Sequence, residues 1–147
     1  MALAYFYTGN KKCIELFREV TDYFLSRLPE DYIPYWDLTF MDGDEPRDSS
    51  AAAIAACGML AMAPYLEKTE ADKYRAAAEN LADALISHCA VTDPKVSNGL
   101  LLHGVYAKNS SYNPIPADRG VDECNTWGDY FYMELLTRLT ADWQMYW

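Results

Sequence analysis

Asp48-Ser49-Ser50-Ala51-Ala52-Ala53-Ile54-Ala55-Ala56-Cys57-Gly58-Met59-Leu60-Ala61-Met62 is the stretch that decides the architecture. Asp48 or Ser49 offers the side-chain oxygen that a helix needs at its N-cap. The body that follows is apolar on every side, and much of it is small. A helix at the surface keeps one polar face; a helix without one is wrapped by other elements. It is also too short to cross a membrane, which takes roughly 20 apolar residues. The segment reads as an inner helix of an all-α core.

The flanking segments are of a different kind. Over residues 11–28, Cys13, Phe17, Val20, Phe24 and Leu28 recur at three- and four-residue steps, with Glu15, Arg18, Glu19 and Asp22 between them. That spacing predicts one amphipathic helix, ending at Pro29. Residues 70–89 repeat the pattern, with Tyr74, Ala78, Leu81 and Leu85 as the stripe and Lys73, Arg75, Glu79 and Asp83 as the wet face. A last helix is expected to begin near Trp127-Gly128-Asp129 and to run toward Trp147. Leu100 to Leu102 is the only strand candidate. Val20-Thr21-Asp22-Tyr23-Phe24-Leu25 aligns with Leu81-Ala82-Asp83-Ala84-Leu85-Ile86, 61 residues further on. A buried helix, an amphipathic helix and a loop thus recur, as in a solenoid or a closed helical toroid. Two and a half such units do not close a ring, so residues 1–147 read as a single domain forming about half of one. Ala2-Leu3-Ala4-Tyr5-Phe6-Tyr7 looks helical and stops at Thr8-Gly9-Asn10, yet has no cap. The expectation is that an upstream part is missing, or that another molecule covers this end.

Composition narrows the function. The chain has 147 residues, 51% of them hydrophobic and 23% charged, enough apolar content for a packed core. Twenty-two acidic against twelve basic residues give a net charge of -10, which argues against a nucleic-acid partner. No membrane span and no signal peptide are visible. Cys13, Cys57, Cys89 and Cys124 show no metal-ligand spacing, and the first three fall among apolar residues as small buried thiols. Neither metal nor cofactor is indicated. A reducing cytoplasm is the expected location.

Residues 34–50 and 98–129 lead into the apolar helices and gather at one mouth of such a toroid. They are rich in Tyr, Trp, Asp, Arg and His, the composition of a carbohydrate pocket. Glycoside cleavage needs two placed carboxyl groups. Asp37, Asp48, Asp122, Glu123 and Asp129 are available, and composition does not choose among them.

Four motifs, in order, carry a resemblance to a known family. They are Pro34-Tyr35-Trp36-Asp37; Pro46-Arg47-Asp48-Ser49-Ser50-Ala51-Ala52-Ala53-Ile54-Ala55-Ala56-Cys57-Gly58; Ser97-Asn98-Gly99-Leu100-Leu101-Leu102-His103-Gly104-Val105-Tyr106; and Asp122-Glu123-Cys124-Asn125-Thr126-Trp127-Gly128-Asp129-Tyr130-Phe131-Tyr132. Together they resemble the C-terminal half of the unsaturated glucuronyl hydrolases, glycoside hydrolase family 88. The resemblance implies an incomplete (α/α)6 barrel. It implies a substrate class as well, oligosaccharides released by polysaccharide lyases and ending in an unsaturated uronic acid, whose C4=C5 bond is hydrated. The family's two catalytic aspartates lie in its N-terminal half, which has no match here. The resemblance therefore implies a truncated chain, inactive alone, with no catalytic residue to assign. A non-catalytic, oligomerising remnant is the alternative. The unsaturated rhamnogalacturonyl hydrolases share the barrel, but Arg47-Asp48-Ser49-Ser50 with Gly128-Asp129-Tyr130-Phe131-Tyr132 favours the glucuronyl family.

Trp36, Asp37, Arg47, Asp48, His103, Tyr106, Trp127 and Asp129 are the expected substrate-binding residues. Arg47 is the expected partner of a uronate carboxylate, helped by the positive ends of the inner helices. Each has a structural role beside the functional one: Arg47 and Asp48 as loop tie and helix cap, His103 as a hydrogen-bonded structural histidine. Tyr130 and Tyr132 are two apart on a helix and do not share a face. Lys108-Asn109-Ser110-Ser111 does not clearly reproduce the family's sulfate-recognising stretch. A homo-oligomer covering the open flank through Leu3, Tyr5, Phe6 and the last helix is the expected assembly.

Overall fold

The computed structural model describes residues 1–116 and 119–143. Five helices follow one another: α1 (Ala2–Thr8), α2 (Lys12–Ser26), α3 (Ser49–Met62), α4 (Lys68–His88) and α5 (Thr126–Thr140), with a 3-10 turn, Ala63–Tyr65, between α3 and α4. No strand forms among the described residues. Leu101 makes only a single bridge to Ala90, so the strand expected at Leu100 to Leu102 is absent. None of the described helices is long and apolar enough to cross a membrane.

Local chemistry sets the helix ends. Gly9 closes α1 in the left-handed conformation at φ 63°, its N–H donating to the Tyr5 carbonyl. The Asp48 carboxylate caps α3 by accepting from the Ser50 N–H. Asn125 caps α5 through the Gly128 N–H at 2.7 Å. Gly128 keeps that corner open for the cap, because a Cβ there would sit 2.8 Å from the Asn125 amide oxygen and 3.3 Å from Ser50 Cβ. α5 ends at Thr140 instead of running on. Its last turns hold Thr137 and Thr140, whose hydroxyls donate to the Met133 and Leu136 carbonyls, chemistry that favours a helix terminus over its interior. Tyr146 and Trp147, expected to pack, lie outside the described residues.

α3 is the hub. It packs on α4 along one side and on α5 along another, and touches α1 and α2 near its ends. Ala52, Ala53, Ala56, Met59 and Met62 are fully buried against Tyr74, Leu81, Leu85 and Leu135. The small residues let the helices approach closely, and Met59 and Met62 fill what remains. α1 packs on α2 and α3 on α4, in hairpin order. Among the described residues the wrapping of α3 is incomplete: Ile54 is exposed and no atom lies within 4 Å of where a Gly58 Cβ would be.

α2 sits rolled from the expected orientation. Phe17, Thr21 and Phe24 face inward, while Val20 is 55% exposed. Polar partners on α4 set the roll. Arg18 pairs bidentately with Glu70 at 2.5 and 2.7 Å, and Asp22 accepts from Lys73 at 2.6 Å and from the Tyr74 hydroxyl at 3.0 Å. Turning residues 18 and 22 toward α4 carries Thr21 inward and Val20 out. The Lys73 ammonium holds the Asp22 carboxyl below its usual range, and the Arg18 guanidinium does the same for Glu70. Both folded-state pKa values are lowered, so their stabilisation is present at neutral pH and is lost as pH falls through the carboxylate range. The thermal midpoint should drop below about pH 4.5, and Lys73→Met should flatten that dependence in a melting series across pH 3 to 7.

Of the thiols, Cys57 and Cys89 are buried as expected, whereas Cys13 is only half-buried. Burial pushes the Cys57 thiol up to about 12 and Cys89 to about 11.

Candidate functional site

The N-termini of α3 and α5 stand side by side. The Trp127 indole N–H donates to the Ser50 hydroxyl at 3.1 Å, joining the first turns of the two helices. Residues 102–108 cross this end. Ser49 donates its N–H to the His103 carbonyl at 3.0 Å and its hydroxyl to the Leu102 carbonyl at 2.6 Å, and the Val105 N–H reaches Asp48. These contacts bring residues more than fifty positions apart to one face.

Two aromatic groups stand there. The rings of Tyr106 and Trp127 lie 5.8 Å apart at 37°, and Tyr106 is 70% exposed. Trp36 packs beside Phe40 at 6.2 Å, donates its indole N–H to Glu45 at 2.8 Å, and carries the Lys108 ammonium 5.0 Å from its ring centroid. Lys108 is ion-paired with the same Glu45 carboxylate. A lysine fixed between a carboxylate and an indole points its charge instead of waving it. The sequence places Lys108, Glu45 and Ser50 in the loops of this face but gives no sign of their partners, since each meets its partner only after the loops fold.

The charged candidates are already engaged. The Arg47 guanidinium donates to the Ile33 carbonyl and the Asp31 carboxylate and lies 4.2 Å over the Tyr35 ring. It sits at the same end as Trp127, but its fork ties the preceding loop and does not point free toward an anion. Asp48 spends Oδ1 on the Ser50 N–H and hydroxyl. Asp129 accepts the Leu100 and Leu101 N–H groups, both at 2.9 Å, and so fastens the long loop to α5. Asp37 accepts the Thr39 N–H at 2.8 Å, which holds its carboxyl below the usual range. His103 pairs through Nδ1 with Asp122, and both residues are left-handed, at φ 65° and 58°. Such conformations are costly in non-glycine residues and concentrate at functional positions. Tyr132 is buried in the core and Tyr130 is exposed.

Asp129 gives a direct test of the loop's anchoring. Asp129→Ala leaves two backbone N–H groups without their acceptor and is expected to cost about 1–3 kcal/mol, read as a lowered urea midpoint. Asp129→Asn keeps one oxygen and should cost less.

Helical hairpins in sequence, with aromatic and charged loops over the N-termini of α3 and α5, are the architecture of part of an α/α toroid. Comparison with known proteins agrees. No family model matches the chain. It is 45% identical over 148 aligned residues to the unsaturated chondroitin disaccharide hydrolase of Streptococcus pneumoniae, covering 99% of this chain and 36% of that protein. The crystal structure of the unsaturated glucuronyl hydrolase of Streptococcus agalactiae superposes at a TM-score of 0.85, with 42% identity, over 99% of this chain and 38% of the other. That of Bacillus sp. GL1, described as responsible for the degradation of glycosaminoglycan, gives 0.82 and 34% over 95% and 36%. The chain matches a segment of the unsaturated glucuronyl hydrolases, and spans about a third of the length of the curated relatives it matches.

Proposed function

We propose that the chain supplies one wall of the sugar site of an unsaturated glucuronyl hydrolase, acting on oligosaccharides that end in an unsaturated uronic acid. The alignment over 99% of the chain with the hydrolase of Streptococcus pneumoniae carries this reading. A variant of the Streptococcus agalactiae relative has been crystallised with dGlcA-GalNAc6S, an unsaturated uronic acid on a sulfated sugar. Trp36, Tyr106 and Trp127 are the stacking surfaces, with His103 and Asp37 at their edge. Arg47, Asp48 and Asp129 hold the loops that present these rings and contribute to binding through that scaffold. Lys108 adds positive charge suited to an acidic sugar, which the chain's net negative charge makes necessary.

Residues 1–147 act as one domain, the C-terminal portion of the toroid. Copies of the chain form a homo-oligomer that covers the open flank through Leu3, Tyr5, Phe6 and the last helix. The four unpaired cysteines suit a reducing compartment, and we place the protein in the cytoplasm.

Titrating an unsaturated chondroitin disaccharide into isotopically labelled chain tests the sugar wall. The indole N–H signals of Trp36 and Trp127 should shift together and saturate, and Tyr106→Ala should weaken that response. Indole signals that stay fixed at millimolar disaccharide would overturn the reading.

A further inference from the structure

Of the chain's asparagines, only Asn98 precedes a glycine. It is exposed, and among the described residues its side-chain amide takes part in no hydrogen bond. The others are held or shielded. Asn10, Asn109 and Asn125 accept backbone N–H groups through their side chains. Asn80 lies inside α4, and Asn113 precedes a proline, which has no N–H. Asparagine is among the thermolabile residues, and one followed by glycine is open to its own backbone, because no Cβ crowds the next nitrogen. Packing keeps the glycine in place: a Cβ on residue 99 would stand 2.5 Å from Cys124 Cβ and 3.2 Å from the Asp129 carboxylate. The Gly99 N–H donates to the Ser97 hydroxyl at 3.0 Å and is not locked in a helix. Directly after it, Leu100 and Leu101 place both their N–H groups on one oxygen of Asp129.

We propose that Asn98 is a self-modification site, converted to isoaspartate with loss of ammonia, and that this conversion loosens the mouth loop from α5. The Gly99 nitrogen gives up its proton and bonds to Asn98 Cγ as the Cγ–Nδ2 bond breaks. Ammonia leaves, and a five-membered succinimide remains. Water then opens the ring at either carbonyl. Opening at the main-chain carbonyl leaves the chain running through Cγ, which is isoaspartate; opening at Cγ leaves an ordinary aspartate. Water is the one co-reactant. The isoaspartate link adds a carbon to the main chain and a free carboxylate close to Leu100. Both act against the Asp129 clamp, the first by displacing the two N–H groups, the second by repulsion between like charges. Asp42-Gly43 can close the same ring, but a carboxylate resists attack better than a neutral amide.

Ageing the full chain in mildly alkaline buffer, followed by tryptic mapping and urea titration, gives the test. The peptide of residues 96–108, bounded by Lys95 and Lys108, should exchange one nitrogen for one oxygen before any other asparagine-containing peptide changes. Its products should be isoaspartate and aspartate, with isoaspartate the larger. The urea midpoint of the aged chain should fall toward that of Asp129→Ala. Asn98→Gln has a longer side chain and closes a less favourable six-membered ring, so it should keep both mass and midpoint through the same treatment. The side chain it replaces is exposed and unpaired, so this variant folds. Equal or faster conversion at Asn10 or Asn109, aspartate without isoaspartate, or a midpoint unmoved once residue 98 has turned over would each overturn the proposal. None of these readouts involves a sugar, so they stand or fall apart from the sugar wall.

Discussion

Incubated with an unsaturated glucuronyl disaccharide, the 147-residue chain by itself should leave the absorbance of the C4=C5 bond unchanged. Hydration of that bond needs a carboxyl group able to donate a proton near neutral pH, which means a raised pKa. The carboxylates at the mouth are engaged in structural contacts instead. Asp48 caps α3, Asp129 holds two backbone N–H groups, Glu45 is paired with Lys108 and Trp36, and Asp122 is paired with His103. The Asp37 carboxyl is held low by the Thr39 N–H. Positioned acid–base groups contribute roughly 10²–10⁴-fold, and the chain should lack all of that factor. The alignment with the Streptococcus pneumoniae enzyme leaves 64% of that protein unmatched, enough to hold the missing groups. Absorbance lost in proportion to added chain would sink this expectation.

The fold was legible where local rules decide it. An uninterrupted apolar segment opened by Asp48 has few alternatives to an inner helix, and Gly9 after a short apolar run is a stop wherever it occurs. The stripe of α4 was equally plain, since Tyr74, Ala78, Leu81 and Leu85 pack as their spacing says. What failed depends on partners far along the chain. Val20 and Thr21 are adjacent, and apolar preference puts the wrong one inside. The roll of α2 is set by Glu70 and Lys73, about fifty residues on. The end of α5 was missed for a different reason, because apolar and aromatic residues continue past Thr140 and hide the polar signal in its last turns.

At the site, sequence motifs located the right loops but misjudged what their charges are free to do. Arg47 sits where an anion-binding arginine is expected, yet Asp31, sixteen residues earlier, takes its fork. No spacing rule reveals that pairing, since the intervening residues form no regular element. The same holds for Lys108, Glu45 and Trp36, joined across 63 and 9 residues. The aromatic members fared better. Tyr106 and Trp127 meet because each is fixed to the first turns of α3 and α5, and the caps that fix them are sequence-readable.

Two substitutions on α3 should separate the face the chain buries from the face it leaves open. Met59 is fully buried between α4 and α5, whereas Ile54 is 40% exposed. In the isolated chain, Met59→Ala is expected to cost about 2–5 kcal/mol, from lost transfer energy and the cavity left behind. For a chain of this size that lowers the thermal midpoint by roughly 10 °C. Ile54→Ala removes a side chain already touched by water, and should cost under about 0.5 kcal/mol. Thermal melts of the two variants check the contrast, and an Ile54→Ala loss as large as that of Met59→Ala would mean that residue 54 is enclosed as fully as residue 59.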